Sequence, residues 1–161
     1  MKVSFVLLLA LACAQRNGAP APATTTTAAP AASEARIILP DKSAVIVEVA
    51  SDDATRQQGL MYRDHMAEDR GMIFLFPQAG EYPFWMKNTL IPLDMIWMDV
   101  DHRIVHIAHD VPPCKADPCP SYPPNAKASS VLELAAGVAA KHHLVDGNVL
   151  RFKGMDSFVV R

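Results

Sequence analysis

Between Arg16 and Ser33 the chain holds almost nothing but Ala, Pro and Thr, including the run Thr24 to Thr27. Such a stretch carries too little bulky apolar surface to offset its ordering entropy, so it is read as an unfolded spacer. Its Pro and Ala content favours an extended, semi-stiff chain. This one segment confines any hydrophobic core to the residues after it. The foldable part therefore begins near Glu34 and runs to Arg161, which suits one domain and not two.

Ahead of the spacer, Val3 to Ala12 form an apolar stretch behind Lys2. A permanent membrane helix needs roughly 20 apolar residues, and this stretch is about half as long. It has the proportions of a signal-peptide core. It ends in Ala10-Leu11-Ala12-Cys13, which resembles a lipobox, where cleavage leaves the Cys as the lipidated first residue. Residues 1–12 are thus expected to be a lipoprotein signal, with Cys13 the lipidation site. Residues 13–33 would be a linker tethering the domain of residues 34–161 to a membrane on the periplasmic side. Leu is usual where Ala10 stands, and a small residue where Leu11 stands. Ordinary signal-peptidase cleavage, leaving a soluble periplasmic protein, is the competing reading.

The chain has three Cys. With Cys13 lipidated, Cys114 and Cys119 remain, both within a Pro-rich segment from Pro112 to Pro120. An oxidising compartment favours a disulfide between them. The alternative is a metal site, for which two Cys supply half of a tetrahedral zinc set. Net charge is −2, and the Lys and Arg are scattered among acids. Nucleic acid is not an expected partner, because phosphate binding needs clustered cations.

Along the domain, short apolar runs alternate with turns. Arg36 to Leu39 and Ala44 to Ala50 read as strands, the latter with period-2 alternation of Val45, Val47 and Val49. Ser51, Asp52 and Asp53 supply a cap and an acidic first turn for a helix over Asp53 to Tyr62. Gly71 to Phe76 is a strand stopped by Pro77. Pro83 to Lys87, Leu93 to Met98, Arg103 to His109, Ser130 to Leu134, Val149 to Phe152 and Ser157 to Val160 read as further strands. Leu93 to Met98 is apolar on both faces, which marks a central strand. Gly137 to Leu144 has the composition of a short helix. The sum is a mainly β fold of about eight or nine short strands with two or three short helices, a β-sandwich or open barrel.

Several blocks then occur in one order: Arg56-Gln57-Gln58-Gly59-Leu60-Met61-Tyr62-Arg63, Gly71-Met72-Ile73-Phe74, Phe84-Trp85-Met86-Lys87-Asn88-Thr89 with Ile91-Pro92-Leu93-Asp94, and Val131-Leu132-Glu133 with Gly137. Together they make residues from about Ala44 to Phe152 resemble the bacterial and archaeal family of domain of unknown function 192. The resemblance implies a compact, mostly β and often exported domain. It implies no reaction. His102 stands where a turn Gly is common in that family, and Asn148 where Gly-Asp is common.

The polar residues of the central block are the candidate site. A turn over Asn88 to Leu93 would set Lys87 beside Asp94, where opposite charges attract by roughly 0.2–1 kcal/mol. Arg56 and Arg63, seven apart, would share a helix face with Leu60. Two guanidiniums there suit a carboxylate or phosphate. Arg56, Arg63, Lys87, Asn88 and Asp94 are therefore the candidate ligand-binding residues, for a small anionic ligand or an envelope protein partner. The competing reading makes them an ion pair and turn-stabilising groups. His102 and His106 fall on one strand face and His109 on the other, so no metal site is expected. No nucleophile elbow, P-loop or dinucleotide motif occurs, so no cofactor is expected. A non-catalytic binding or accessory module is the preferred reading. A hydrolase using Asp94 and Glu133 and a purely structural domain are the alternatives. Phe84, Trp85 and Trp97 are read as core; one exposed ring among them would invite a carbohydrate test.

Overall fold

The computed structural model describes residues 34–161. The expected signal, the lipidation at Cys13 and the linker lie outside the described residues. Nine strands and two short helices follow in the order β1 (Arg36–Ile38), β2 (Ala44–Ala50), α1 (Asp53–Gln58), β3 (Arg70–Gly80), β4 (Phe84–Trp85), β5 (Leu93–Met98), β6 (Ile104–Val111), β7 (Ser121–Tyr122), β8 (Ala128–Ala135), α2 (Val138–Lys141) and β9 (Arg151–Lys153). The fold is mainly β, as expected from the alternating apolar runs.

Seven strands form one mixed sheet in the order β6-β5-β8-β3-β2-β1-β9, and β4 pairs with β7 in a second, small one. Among the described strands only β2 and β3 pair in parallel; α1 makes the crossover between them. The sheet is not a closed barrel, but its two ends approach each other. Val149, just before β9, bridges to Arg103, just before β6. Backbone bonds from Ile104 N to Asn148 O (2.8 Å) and from Gly147 N to Ile104 O (2.8 Å) extend that contact.

Every residue of β5 is buried, as a central strand apolar on both faces requires. Pleating sends alternate side chains to opposite faces. Ile96 and Met98 join Ile37, Val45, Ile73, Leu132 and Leu134 in one apolar cluster. Leu93, Met95 and Trp97 join Met72, Phe74, Met86 and Val131 in the other. The second face is the one that matters for the site.

Four expectations needed correction. The first helix ends at Gln58, not Tyr62, because Gly59 caps it at φ 46°. β3 does not stop at Pro77 but runs to Gly80. The pairing with β8 shifts between Leu75 and Gly80, so the imide falls where no ladder hydrogen bond is demanded. Ser157 to Val160 is not a strand; the C-terminus instead docks through a bond from Arg161 N to Ser51 O (2.9 Å). Within the Cys loop, Ser121–Tyr122 forms the unexpected β7, which holds β4 against the second face. Cys114 and Cys119 are joined, with their Cα atoms 5.6 Å apart.

Candidate functional site

Glu133 lies mid-sheet on β8. Its cross-strand partners are Met72 on β3 and Met95 on β5, so all three point to the same face. The side chain is thus flanked by two thioethers, and the residue is only 4% exposed. Burial lifts its carboxyl from the ordinary 4.5 to about 8, and among the described residues no hydrogen bond or neighbouring charge offsets that burial. Buried polar groups in folded proteins are nearly always paired. This one instead lines a narrow cavity of about 40 Å³ with Gly59, Leu60, Met61, Lys87 and Thr89. That space is enough for a water or a hydroxyl-sized group.

The cavity sits beside a wider trough of about 270 Å³, with which it shares Arg56, Gln57, Phe74, Phe84 and Trp85. The trough is built of rings. Phe76 stacks on Tyr82 with centroids 3.7 Å apart, and Phe74 meets Phe84 edge-on at 4.9 Å. Trp97 lies fully buried beneath, its indole N–H donating to Tyr82 O at 2.9 Å. Trp85, by contrast, is 51% exposed. The expectation that Trp85 is core is therefore corrected. β4 is only two residues long, and its pleat turns Phe84 inward and Trp85 outward.

The five candidate residues do not converge. Arg56 remains at the site but is engaged, donating to Leu75 O (2.8 Å), to Asp53 (2.7 Å) and to Arg161 O. Arg63 lies beyond the end of α1 and forms a two-pronged pair with Glu48 (2.6 Å for one prong). That pairing holds its guanidinium more firmly protonated than usual. It lines a separate groove with His65 and Arg70, so the shared helix face with Arg56 does not form. Lys87 reaches the cavity and pairs with Asp117 of the Cys loop at 3.3 Å, its ammonium 5.8 Å from the Trp85 ring centre. Asn88 adopts φ 57°, and its carbonyl accepts from Tyr62 N at 2.7 Å.

Asp94 corrects two expectations. It is fully buried and accepts from the backbone N–H groups of Asp110 (2.9 Å) and Ala139 (2.8 Å). It does not pair with Lys87, because pleating turns it to the first face while the Lys87 side chain reaches out to Asp117. The ladder also separates it from Glu133. Asp94 registers with Leu134, whereas Glu133 registers with Met95. Adjacent positions on one ladder point to opposite faces, so the two carboxylates share no cleft and do not form an acid–base pair. Among the described residues no group of three or more His, Cys, Asp or Glu side chains comes together.

Sequence reasoning found Glu133 only as half of that hydrolase pair. A charged residue inside Val131-Leu132-Glu133-Leu134 was the available signal, since a lone Glu in an apolar strand is rarely buried without purpose.

Comparisons with known proteins bear on the family and the fold. The model of DUF192, described as "Uncharacterized ACR", matches residues 36–152. No curated protein matches the chain. A crystal structure from Sinorhizobium meliloti 1021, of a protein proposed as a transcription regulator, is similar, with 35% identity and a TM-score of 0.66. The match covers 75% of this chain and 93% of that one. A protein of unknown function from Novosphingobium aromaticivorans DSM 12444 is similar at 29% identity and a TM-score of 0.67, over 73% of this chain and 83% of that one. A family match over most of the chain places it: the chain belongs to the DUF192 family.

Proposed function

We propose that this chain is a non-catalytic binding module of the cell envelope, exported, anchored through a lipid on Cys13, and holding a small ligand in the cavity over Glu133. The observation that carries the binding half is the buried Glu133 carboxyl, without a partner among the described residues, lining an open cavity. A carboxyl there costs stability, and a ligand group that completes its hydrogen bonding recovers it. The cavity beside Lys87 also weighs against a purely structural domain. Arg56 and Lys87 are already paired with Asp53 and Asp117, so an anionic group is not required by the rim.

The anchor rests on the sequence Ala10-Leu11-Ala12-Cys13 and on the Ala/Pro/Thr spacer behind it. Mass spectrometry of the mature N-terminus tests it. A diacylated Cys13, and release of the Cys13→Ser variant from the membrane fraction, are expected. An unmodified start beyond residue 13 refutes the anchor. Binding is tested by protein-observed NMR with a library of small polar molecules. Shifts centred on Gly59, Thr89 and Glu133 are expected, and silence at those residues with every compound refutes a ligand site.

A further inference from the structure

A binding module needs a ligand class, and the shape and charge of the site narrow the choice. Building on the binding reading, we infer that the site takes an uncharged saccharide, its ring face lying on Trp85 in the aromatic trough and one hydroxyl reaching down to the Glu133 carboxyl. Two separate observations meet here. One is a ring that is 51% exposed beside a trough walled by Phe76, Tyr82, Pro83 and Phe84. The other is a carboxyl 4% exposed and without a partner among the described residues, in a small cavity with room for a hydroxyl-sized group.

The two spaces have complementary sizes. About 40 Å³ over Glu133 is too small for a sugar ring, while about 270 Å³ in the trough is large enough to seat one. A saccharide is apolar on the faces of its ring and polar around its edge. It can thus cover an aromatic surface and still donate or accept at the rim, where Gln57 and Lys87 also stand. Charge argues against the alternatives. A cationic ligand finds the Glu133 carboxyl held mostly neutral by burial near pH 7. An anionic ligand finds Arg56 and Lys87 already paired with Asp53 and Asp117. A neutral polyhydroxyl group needs no free charge at the site, and it satisfies a protonated carboxyl as donor or acceptor.

The test holds ring shape constant and varies charge. The purified chain is titrated with glucose, N-acetylglucosamine, glucuronate and glucosamine, read by tryptophan emission and by NMR shifts. Of the two Trp residues, Trp97 is fully buried, so a ligand-dependent emission change reports Trp85. Saturable binding of glucose or N-acetylglucosamine is expected. Trp85→Ala should weaken it by roughly tenfold or more, and Trp85, being surface-exposed, can be replaced without disturbing the core. Glu133→Gln, which keeps a neutral hydrogen-bonding group, should bind within about threefold of the parent, while Glu133→Met should lose roughly tenfold. Near-ultraviolet circular dichroism confirms that each variant is folded. Tighter binding of glucosamine, abolished by Glu133→Gln, or tighter binding of glucuronate overturns the uncharged-saccharide assignment while leaving a ligand site in place. Silence with all four sugars overturns it as well. If the wider library also leaves the cavity residues unmoved, the binding reading falls with it.

Discussion

The residue with the largest consequence is Glu133. Its carboxyl is raised to about 8 by burial alone, so between the ordinary 4.5 and about 8 the folded chain binds more protons than the unfolded one. Stability is then fully present at acid pH and falls as pH rises through that window, by a few kcal/mol in total. Urea unfolding from pH 4.5 to 9 should show this decline, and Glu133→Gln should flatten it. An unchanged slope in the variant would assign the decline elsewhere. Asp94 predicts the opposite kind of effect. Removing its carboxylate leaves the N–H groups of Asp110 and Ala139 without their acceptor, so Asp94→Ala should cost about 2–5 kcal/mol in urea unfolding. Both side chains are charged types in apolar strands, so the sequence marks them as unusual. It does not say which face each takes relative to the other, because that depends on the register between β5 and β8, which lies in no local pattern.

At the scale of elements, the local signals were readable where they were strong and failed where tertiary pairing overrode them. β2 and β5 match their expected limits because alternation and a two-faced apolar run are insensitive to context. Asp52 caps α1 as expected, its carboxylate accepting from Thr55 N at 2.9 Å. β7 went unseen, since Ser121–Tyr122 between prolines carries no strand signal and exists only because β4 needs a partner. Gly71, in contrast, stands in a recognisable block, and the structure gives its reason. A Cβ there would lie 2.7 Å from the Glu133 carbonyl oxygen and 2.9 Å from Leu134 Cδ2. Gly71→Ala should therefore destabilise the β3–β8 pairing by about 1–3 kcal/mol in chemical unfolding, and a neutral result would mean the strands can separate slightly. The bond between Cys114 and Cys119 closes a short loop. Replacing both by Ser should cost about 2 kcal/mol in unfolding free energy by loop-closure entropy. Hydrogen exchange should rise mainly around β7 and the Lys87–Asp117 contact.

For the molecule as a whole, the class of fold was legible and its path was not. Short apolar runs separated by turns specify a sheet; they do not specify that β2 and β3 run parallel through α1 or that β8 inserts between β3 and β5. Those choices bring the Gly59, Phe84-Trp85 and Glu133 blocks onto one face, which explains why motifs far apart in sequence form one cavity. The buried apolar residues of the described part all fall between Ala35 and Leu150. A chain starting at Glu34 should therefore melt within about 2 °C of the longer one by calorimetry, since surface changes are usually within about ±0.5 kcal/mol. A larger drop would show that the leading residues contribute packing. One further consequence lies in how the sheet's ends meet at Arg103 and Val149. An outer strand with a long flat run of free amides and carbonyls invites stacking of neighbouring copies into fibrils. Here the start of β6 is already occupied by its own chain, and its pairing with β5 slips twice, between Leu93 and Met95 and between Trp97 and Met98. Such kinks twist a border out of plane, so even crowded molecules would find little there to copy.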